Sequence, residues 1–313
     1  MLDLNKIVIL GGTGFIGSNL AIELSKYTKK IIILTRNKEK NKELLVLPNI
    51  EIIQTNVNDE LSLREFTKDT DLIINTIGIL NELDSFNTFN LVHVDLIQKI
   101  SHVASYNKIP RMLHISSLNA DVSAKSNYLK TKGESEKYLL NETSAFCNVT
   151  IFRPSVVFGE NDTFFNRFKT ILTYSPIFPL ACPYTKFSPI YINDLVSFMV
   201  ASIDDRSKFN LSLDLTGPKT YTFYSLIKLT LSFLKIRRIV IPLPNILSKL
   251  QAYIFERLPG KIFTIDNYNS LQIDSISDTG LKGSTYIEQI VPKYLNLMQK
   301  ETNAEKLRKK SGR

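Results

Sequence analysis

Short apolar runs alternate with helical patterns along the first half of the chain. "KIVIL" leads into a glycine-rich loop, and "SNLAIELSKY" follows with helical spacing. "KIIILT", "IEIIQT", "DLIINTIG" and "RMLHIS" are further continuous apolar runs. "SLREFTKDT" and "FNLVHVDLIQKISHVASYN" read as helices between them, the second as one long helix. Strands apolar on both faces, alternating with helices, predict a parallel sheet covered on both sides. After Tyr128 a helix is predicted through "YLKTKGESEKYLLNE", then a strand and loop in "NVTIFRPSVVFG". Between 160 and 190 the pattern loosens into aromatics and prolines. "YINDLVSFMVASI" reads as a helix and "FNLSLDLTG" as a strand, both returning to the main sheet. From Pro218 a smaller second lobe is expected. The organisation predicted is a dinucleotide-type α/β domain over 1–159, then a mixed region over 160–313. In that region 193–216 rejoins the sheet and 300–313 form a basic tail.

Composition changes this picture little. The 313 residues are 43% hydrophobic and 22% charged, which suits one large globular domain with a second lobe. Two cysteines, Cys147 and Cys182, lie far apart, and the three histidines add no cluster in the sequence, so no metal site is expected. The chain reads as intracellular, without a secretory signal or a membrane-spanning run. The net charge is +9, but "KETNAEKLRKKSGR" holds six basic and two acidic side chains. The excess therefore sits partly in a tail, and no nucleic-acid partner is expected.

The chemistry begins at "GGTGFIG", which places Gly11, Gly14 and Gly17 between a strand and a helix. The chain must turn tightly there, and its backbone must approach a pyrophosphate closely. Thr13, Gly14, Phe15, Ile16 and Gly17 then offer N–H groups and the positive end of a helix to the phosphates. The second strand ends in Thr35 and Arg36, with no acid to hold ribose hydroxyls. Arg36 suits a 2′-phosphate, so NADP is favoured over NAD. Asn56 and Val57, after the third strand, are placed near the adenine. Asn75 to Gly78, after the fourth, are placed along the cofactor.

Two YxxxK pairs occur, Tyr128/Lys132 and Tyr224/Lys228. With thirteen tyrosines, about one is expected by chance, so position must decide. Tyr128 opens a helix just after the fifth strand, beside the predicted crevice of the sheet. There a lysine one turn away would favour the phenolate of Tyr128, and Ser117, or alternatively Ser116, would polarise a carbonyl.

"GGTGFIG", "HISS", "YLKTK" and "FRPSVVFG", in this order, resemble an extended or atypical short-chain dehydrogenase. "RPSVVFGENDTFFNRF", "PIYINDLV" and "LTGPKTYTF" extend the resemblance to the branch that contains the nucleotide-binding accessory subunit of respiratory complex I. It covers roughly residues 5–295. The resemblance implies a Rossmann-like fold and a bound dinucleotide, with Ser117, Tyr128 and Lys132 at the catalytic positions and Tyr128 and Lys132 also on the cofactor. Two functions stay open: a redox enzyme acting on an apolar carbonyl or quinone-type compound, and a non-catalytic accessory or assembly protein. The second draws on the short gap between Ser117 and Tyr128 and on "LNAD" after the serines.

Two further features bear on partners. Phe164, Phe165, Phe168, Tyr174, Phe178 and Leu180 either line an apolar pocket or pack as core. The stripe Ile246, Leu247, Leu250, Ile254 and Leu258 has helical period. It either packs on the protein's own core, the simpler reading, or lies against a membrane or partner. With the basic tail, it raises the expectation of a cytoplasmic protein attached peripherally to the inner face of a membrane or to a respiratory complex.

Overall fold

The computed structural model describes residues 4–39 and 42–295. The tail 300–313 therefore lies outside the described residues. In chain order the first elements are β1 (Leu4–Leu10), α1 (Phe15–Leu24), β2 (Thr28–Thr35), β3 (Ile50–Gln54), α2 (Glu60–Phe66) and β4 (Leu72–Asn75). Then come α3 (Leu96–Tyr106), β5 (Arg111–Ile115), α4 (Asn127–Asn141) and β6 (Asn148–Pro154). The next are β7 (Val157–Phe158), α5 (Phe164–Tyr174), β8 (Ile177–Leu180), β9 (Lys186–Phe187), β10 (Ile190–Tyr191) and α6 (Ile192–Ala201). The chain continues through β11 (Leu211–Thr216), β12 (Tyr221–Thr222), α7 (Phe223–Leu234) and β13 (Ile239–Pro242). It closes with α8 (Asn245–Phe255), α9 (Ile265–Ser270), β14 (Leu281–Lys282) and α10 (Ile287–Leu295).

Eight strands form one sheet in the order β14-β11-β6-β5-β4-β1-β2-β3, with every pairing parallel. This is a Rossmann-like, doubly wound sheet. Its order reverses between β1 and β4, the point where such folds open a crevice at the carboxyl ends of the strands. Ile7, Val8, Ile9 and Leu10 are all fully buried, because helices cover both faces. Ile7, Ile9, Ile31 and Ile33 pack with α1 and α6 on one face. Val8, Leu10, Ile32 and Leu34 pack with α2 and α3 on the other.

Two elements differ from the sequence pattern. The long helix after "FN" opens with a π-helical stretch, Asn90–Asp95, before α3. The loose region after Gly159 contains a regular helix, α5. The carboxylate of buried Asp162 starts it, accepting from the Phe165 and Asn166 amides at 2.6 and 3.4 Å. Phe164 and Phe168 meet Phe223 at centroid distances of 6.0 and 5.5 Å, and Phe165 is fully buried. These rings, with Phe178 and Leu180, pack in the hydrophobic core of the C-terminal lobe. Tyr174 points away, 84% exposed.

The α8 stripe also departs from the simpler expectation. Only Ser248 and Ala252 of α8 are buried. Ile246, Leu247, Leu250 and Ile254 face outward, Ile246 at 83% exposure. The helix packs through its small residues, so the apolar stripe is surface. Among the described residues no helix is long and apolar enough to cross a membrane.

Candidate functional site

The glycine loop sits at the reversal point of the sheet. Gly11 has φ +78°, and a Cβ there would lie 2.7 Å from Thr76 Oγ1. Thr76 in turn donates to the Leu10 carbonyl through both its amide, at 2.9 Å, and its hydroxyl, at 3.0 Å. The ends of β1 and β4 are thus locked edge to edge, leaving room only for glycine. Gly14 caps α1 without a side-chain bond, and a Cβ there would meet nothing within 4 Å except the Gly11 carbonyl at 3.1 Å. The space before the helix is open, and the first-turn N–H groups of Phe15, Ile16 and Gly17 have no intrahelical acceptor. Thr13 is buried, its hydroxyl 3.2 Å from that of Thr35.

At the tip of β2, Arg36 donates from Nη1 to Asn87 Oδ1 at 2.7 Å. Asn87 also binds the Asp84 carboxylate, whose pKa is lowered, first by Asn87 and in small part by Arg36. Arg36 therefore lies against the loop after β4. Asn56 accepts from the Asn58 amide at 3.0 Å and leads into the Asp59 cap of α2. Val57 is a core residue beside Leu10 and Leu34, so it has only its main chain to offer a ligand.

The other side of the crevice is built by β5 and α4. Ser126 caps α4 by accepting from the Leu129 amide at 3.3 Å. One turn in, Lys132 is buried and its Nζ donates to the Ile115 carbonyl at 2.9 Å. A Cβ on Gly78 would sit 3.2 Å from that Nζ, so the loop after β4 and the lysine are in contact. The Tyr128 ring packs edge-on against Phe89 and His93, at 6.0 and 5.7 Å between centroids. Ser117 interacts with the Tyr128 phenol. Ser116 instead has a buried hydroxyl with no partner. The fold thus gathers Ser117, Tyr128, Lys132, Asn75 and Gly78 on one side and the glycine loop with Arg36 on the other.

The electrostatics differ from the simple tyrosine–lysine picture. Burial pushes the Tyr128 pKa up, the Ser117 contact opposes this, and the Asp266 carboxylate adds to the rise. One of the three Lys132 N–H donors goes to the Ile115 carbonyl, and burial brings the lysine pKa down to about 8, against a weaker upward pull from Glu136. Two histidines that the sequence left unconnected converge here. His93 accepts from the Ile79 amide at Nε2, 3.2 Å, and pairs through Nδ1 with Thr131 Oγ1 at 2.9 Å. His114 pairs with the Asn75 amide at 3.2 Å, and its Nε2 is buried without a partner. Burial holds both neutral, with the His93 pKa pushed down to about 2. Among the described residues no group of side chains could hold a metal ion.

Residues 7–211 match the model of the NAD dependent epimerase/dehydratase family. The chain belongs to this family. Its relatives include NADH dehydrogenase [ubiquinone] 1 alpha subcomplex subunit 9, mitochondrial, of Arabidopsis thaliana. It is 27% identical over 291 residues, covering 88% of this chain and 71% of the relative. The protein of the same name from Mus musculus is 26% identical over 282 residues, covering 88% and 74%. Among solved structures, UDP-glucuronic acid 4-epimerase from Bacillus cereus, in complex with UDP-glucuronic acid and NAD, superposes with a TM-score of 0.69. It is 16% identical and covers 93% of this chain and 98% of that one.

Family membership implies an NAD-type dinucleotide, and the residues present fit one. The open cradle at Gly14, the uncapped start of α1 and the orphaned Ser116 hydroxyl are features a dinucleotide would use. Two contributors had no signal in the local sequence. His93 lies outside every motif, and its π-helical stretch is visible only in three dimensions. Asp266 acts from 138 residues away through the Tyr128 amide, at 3.1 Å.

Proposed function

We propose that this chain is a dinucleotide-holding accessory protein of a respiratory NADH–quinone-type assembly. Gly11–Gly17 hold the pyrophosphate, with Arg36 near a 2′-phosphate and Asn56 and Val57 beside the adenine. Asn75, Gly78, Tyr128 and Lys132 hold the nicotinamide half. A bound nicotinamide would supply hydride exchange.

The observation that carries this reading is the state of Tyr128. Its phenol is held protonated by burial and by Asp266, while Lys132, the group that would favour the phenolate, serves the Ile115 carbonyl. A tyrosine in this state positions a ribose well and abstracts a proton poorly, which disfavours oxidation of an alcohol; as a neutral phenol it can still donate a proton to a carbonyl, the direction the second reading uses. The names of the relatives support the same direction. The outward-facing α8 stripe supports peripheral attachment at a membrane surface.

A second reading keeps the Ser117–Tyr128–Lys132 set as redox machinery for a carbonyl or quinone-type compound, on the strength of the Ser117 contact with the phenol. The two separate in one assay. NADPH and NADH oxidation is followed against a panel of carbonyl and quinone compounds with wild type and Tyr128→Phe. Binding without turnover that depends on Tyr128 is expected. A rate abolished by Tyr128→Phe would establish the enzyme reading instead.

A further inference from the structure

We propose that the segment Lys261–Ser275 is a strap that closes the nicotinamide end of the cleft, and that Asp266 within it is a positioning residue for Tyr128. This rests on the dinucleotide reading above. The cleft has two walls at this end: the loop after β4, and the start of α4. The strap is bonded to both.

On the first wall, the Asn81 side-chain amide donates to the Lys261 carbonyl at 3.2 Å, and Lys261 Nζ donates to the Glu82 carbonyl at 2.5 Å. The Asn267 amide reaches the Leu80 carbonyl at 3.2 Å. These partners begin two residues after Gly78, which touches Lys132. On the second wall, one Asp266 carboxylate accepts from the Ser126 hydroxyl at 2.9 Å, the Asn127 amide at 2.5 Å and the Tyr128 amide at 3.1 Å. Asn119, in the loop after β5, adds a bond to the Asp274 carbonyl at 2.9 Å.

Asp266 thus satisfies the orphan donors of the very turn that carries Tyr128, a task an N-cap performs locally in most helices. It does so from a separate lobe, so the orientation of Tyr128 depends on the lobe being closed. The carboxylate also sits at the positive end of α4, which favours the contact.

The strap is anchored at its Ser275 end, where Ser155 after β6 donates to the Ser275 carbonyl at 2.8 Å, and it is not the sole tie between the lobe and the sheet. Asp194 of α6 accepts from the Ser284 and Thr285 amides at 2.9 Å each, and β14 pairs with β11. Those anchors persist when the strap opens. The strap is joined to the two walls by the hydrogen bonds named above, and Asn81 Oδ1 is buried there with no partner. An unsatisfied buried acceptor makes closure weaker than a packed apolar contact would be. The seal is therefore built to open.

The test uses stopped-flow fluorescence of NADPH and NADH with the full chain. A gate slows entry and exit alike. Asp266→Ala is expected to raise the association rate by about tenfold, the size of a lost helix cap, and the dissociation rate by more, so that Kd rises as the turn carrying Tyr128 loses its support. Asp266→Asn keeps acceptor oxygen and should recover most of the wild-type rates. If Asp266→Ala fails to fold, the pair Lys261→Met with Asn267→Ala, on the other wall, carries the test. Rates equal to wild type, or a rise in dissociation with no rise in association, would overturn the strap, and an unchanged Kd in Asp266→Ala would overturn the positioning of Tyr128. A wild type that binds neither dinucleotide would overturn the strap together with the function on which it rests.

Discussion

At the residue scale, position rather than identity carries the chemistry. Tyr224/Lys228 has the same spacing as Tyr128/Lys132, yet its lysine lies over its own tyrosine ring, 5.5 Å from the centroid, in the core-facing helix α7 of the second lobe. Two substitutions test the cofactor side. Gly14→Val should abolish dinucleotide binding and leave the fold intact, because the new side chain enters open space before α1. NADPH affinity retained in a titration, with unchanged circular dichroism, would reduce the loop to a turn. Arg36→Ala should narrow the preference for NADPH over NADH by about 1–2 kcal/mol, the range of a charge-assisted hydrogen bond. Equal affinities in the wild type would remove the case for a 2′-phosphate. The glycine loop was legible because glycine is required by local backbone geometry. The phenol's protonation was not, since burial and Asp266 act through the fold.

At the scale of elements, α4 connects sheet, crevice and second lobe. Its far half is held by Glu136, buried and paired with Arg153 of β6 through both carboxylate oxygens. Its near half meets the π-helical stretch through His93 and Thr131. A π turn widens the helix locally and re-aims the side chain it carries, here His93, between the loop after β4 and α4. This arrangement predicts acid sensitivity. His93 and His114 are neutral in the fold, their pKa values depressed by burial, while in the unfolded chain each takes a proton below about 6.5. The unfolded state then binds more protons, so stability is lost as pH falls below 6.5. Each histidine contributes a slope of roughly 1.4 kcal/mol per pH unit. Urea midpoints measured from pH 7 to 5 should fall, and His93→Gln should flatten the fall by about half. An unchanged slope in the variant would show that His93 titrates normally.

At the scale of the whole molecule, the two faces of the C-terminal lobe do different things. One touches the crevice through α9. The other presents the α8 stripe to solvent. Residues 235–257 add Lys235, Arg237, Arg238, Lys249 and Arg257 against one acid, Glu256. Apolar side chains with a basic flank suit an anionic lipid surface, where each basic residue contributes about 1 kcal/mol. Co-sedimentation with vesicles of mixed neutral and anionic lipids should retain the protein at low salt and release much of it at high salt. Ile246→Asp combined with Leu250→Asp should abolish retention. Vesicle binding that survives this pair would assign the attachment elsewhere.

The sequence by itself determined the parallel sheet, the strand–loop–helix at Gly11–Gly17 and the placement of Tyr128 after β5. Each is set by local rules: continuous apolar strands, a turn only glycine can make, and a helix beginning beside the crevice. Only the tertiary structure decided the rest. It turned the aromatics of α5 into a lobe core and the α8 stripe into surface, since both patterns fit either side of a helix until its neighbours are known. It drew His93 and His114 to Lys132 and set Asp266 on the Tyr128 helix, because hydrogen bonds and burial between distant segments exist only once the chain has closed on itself.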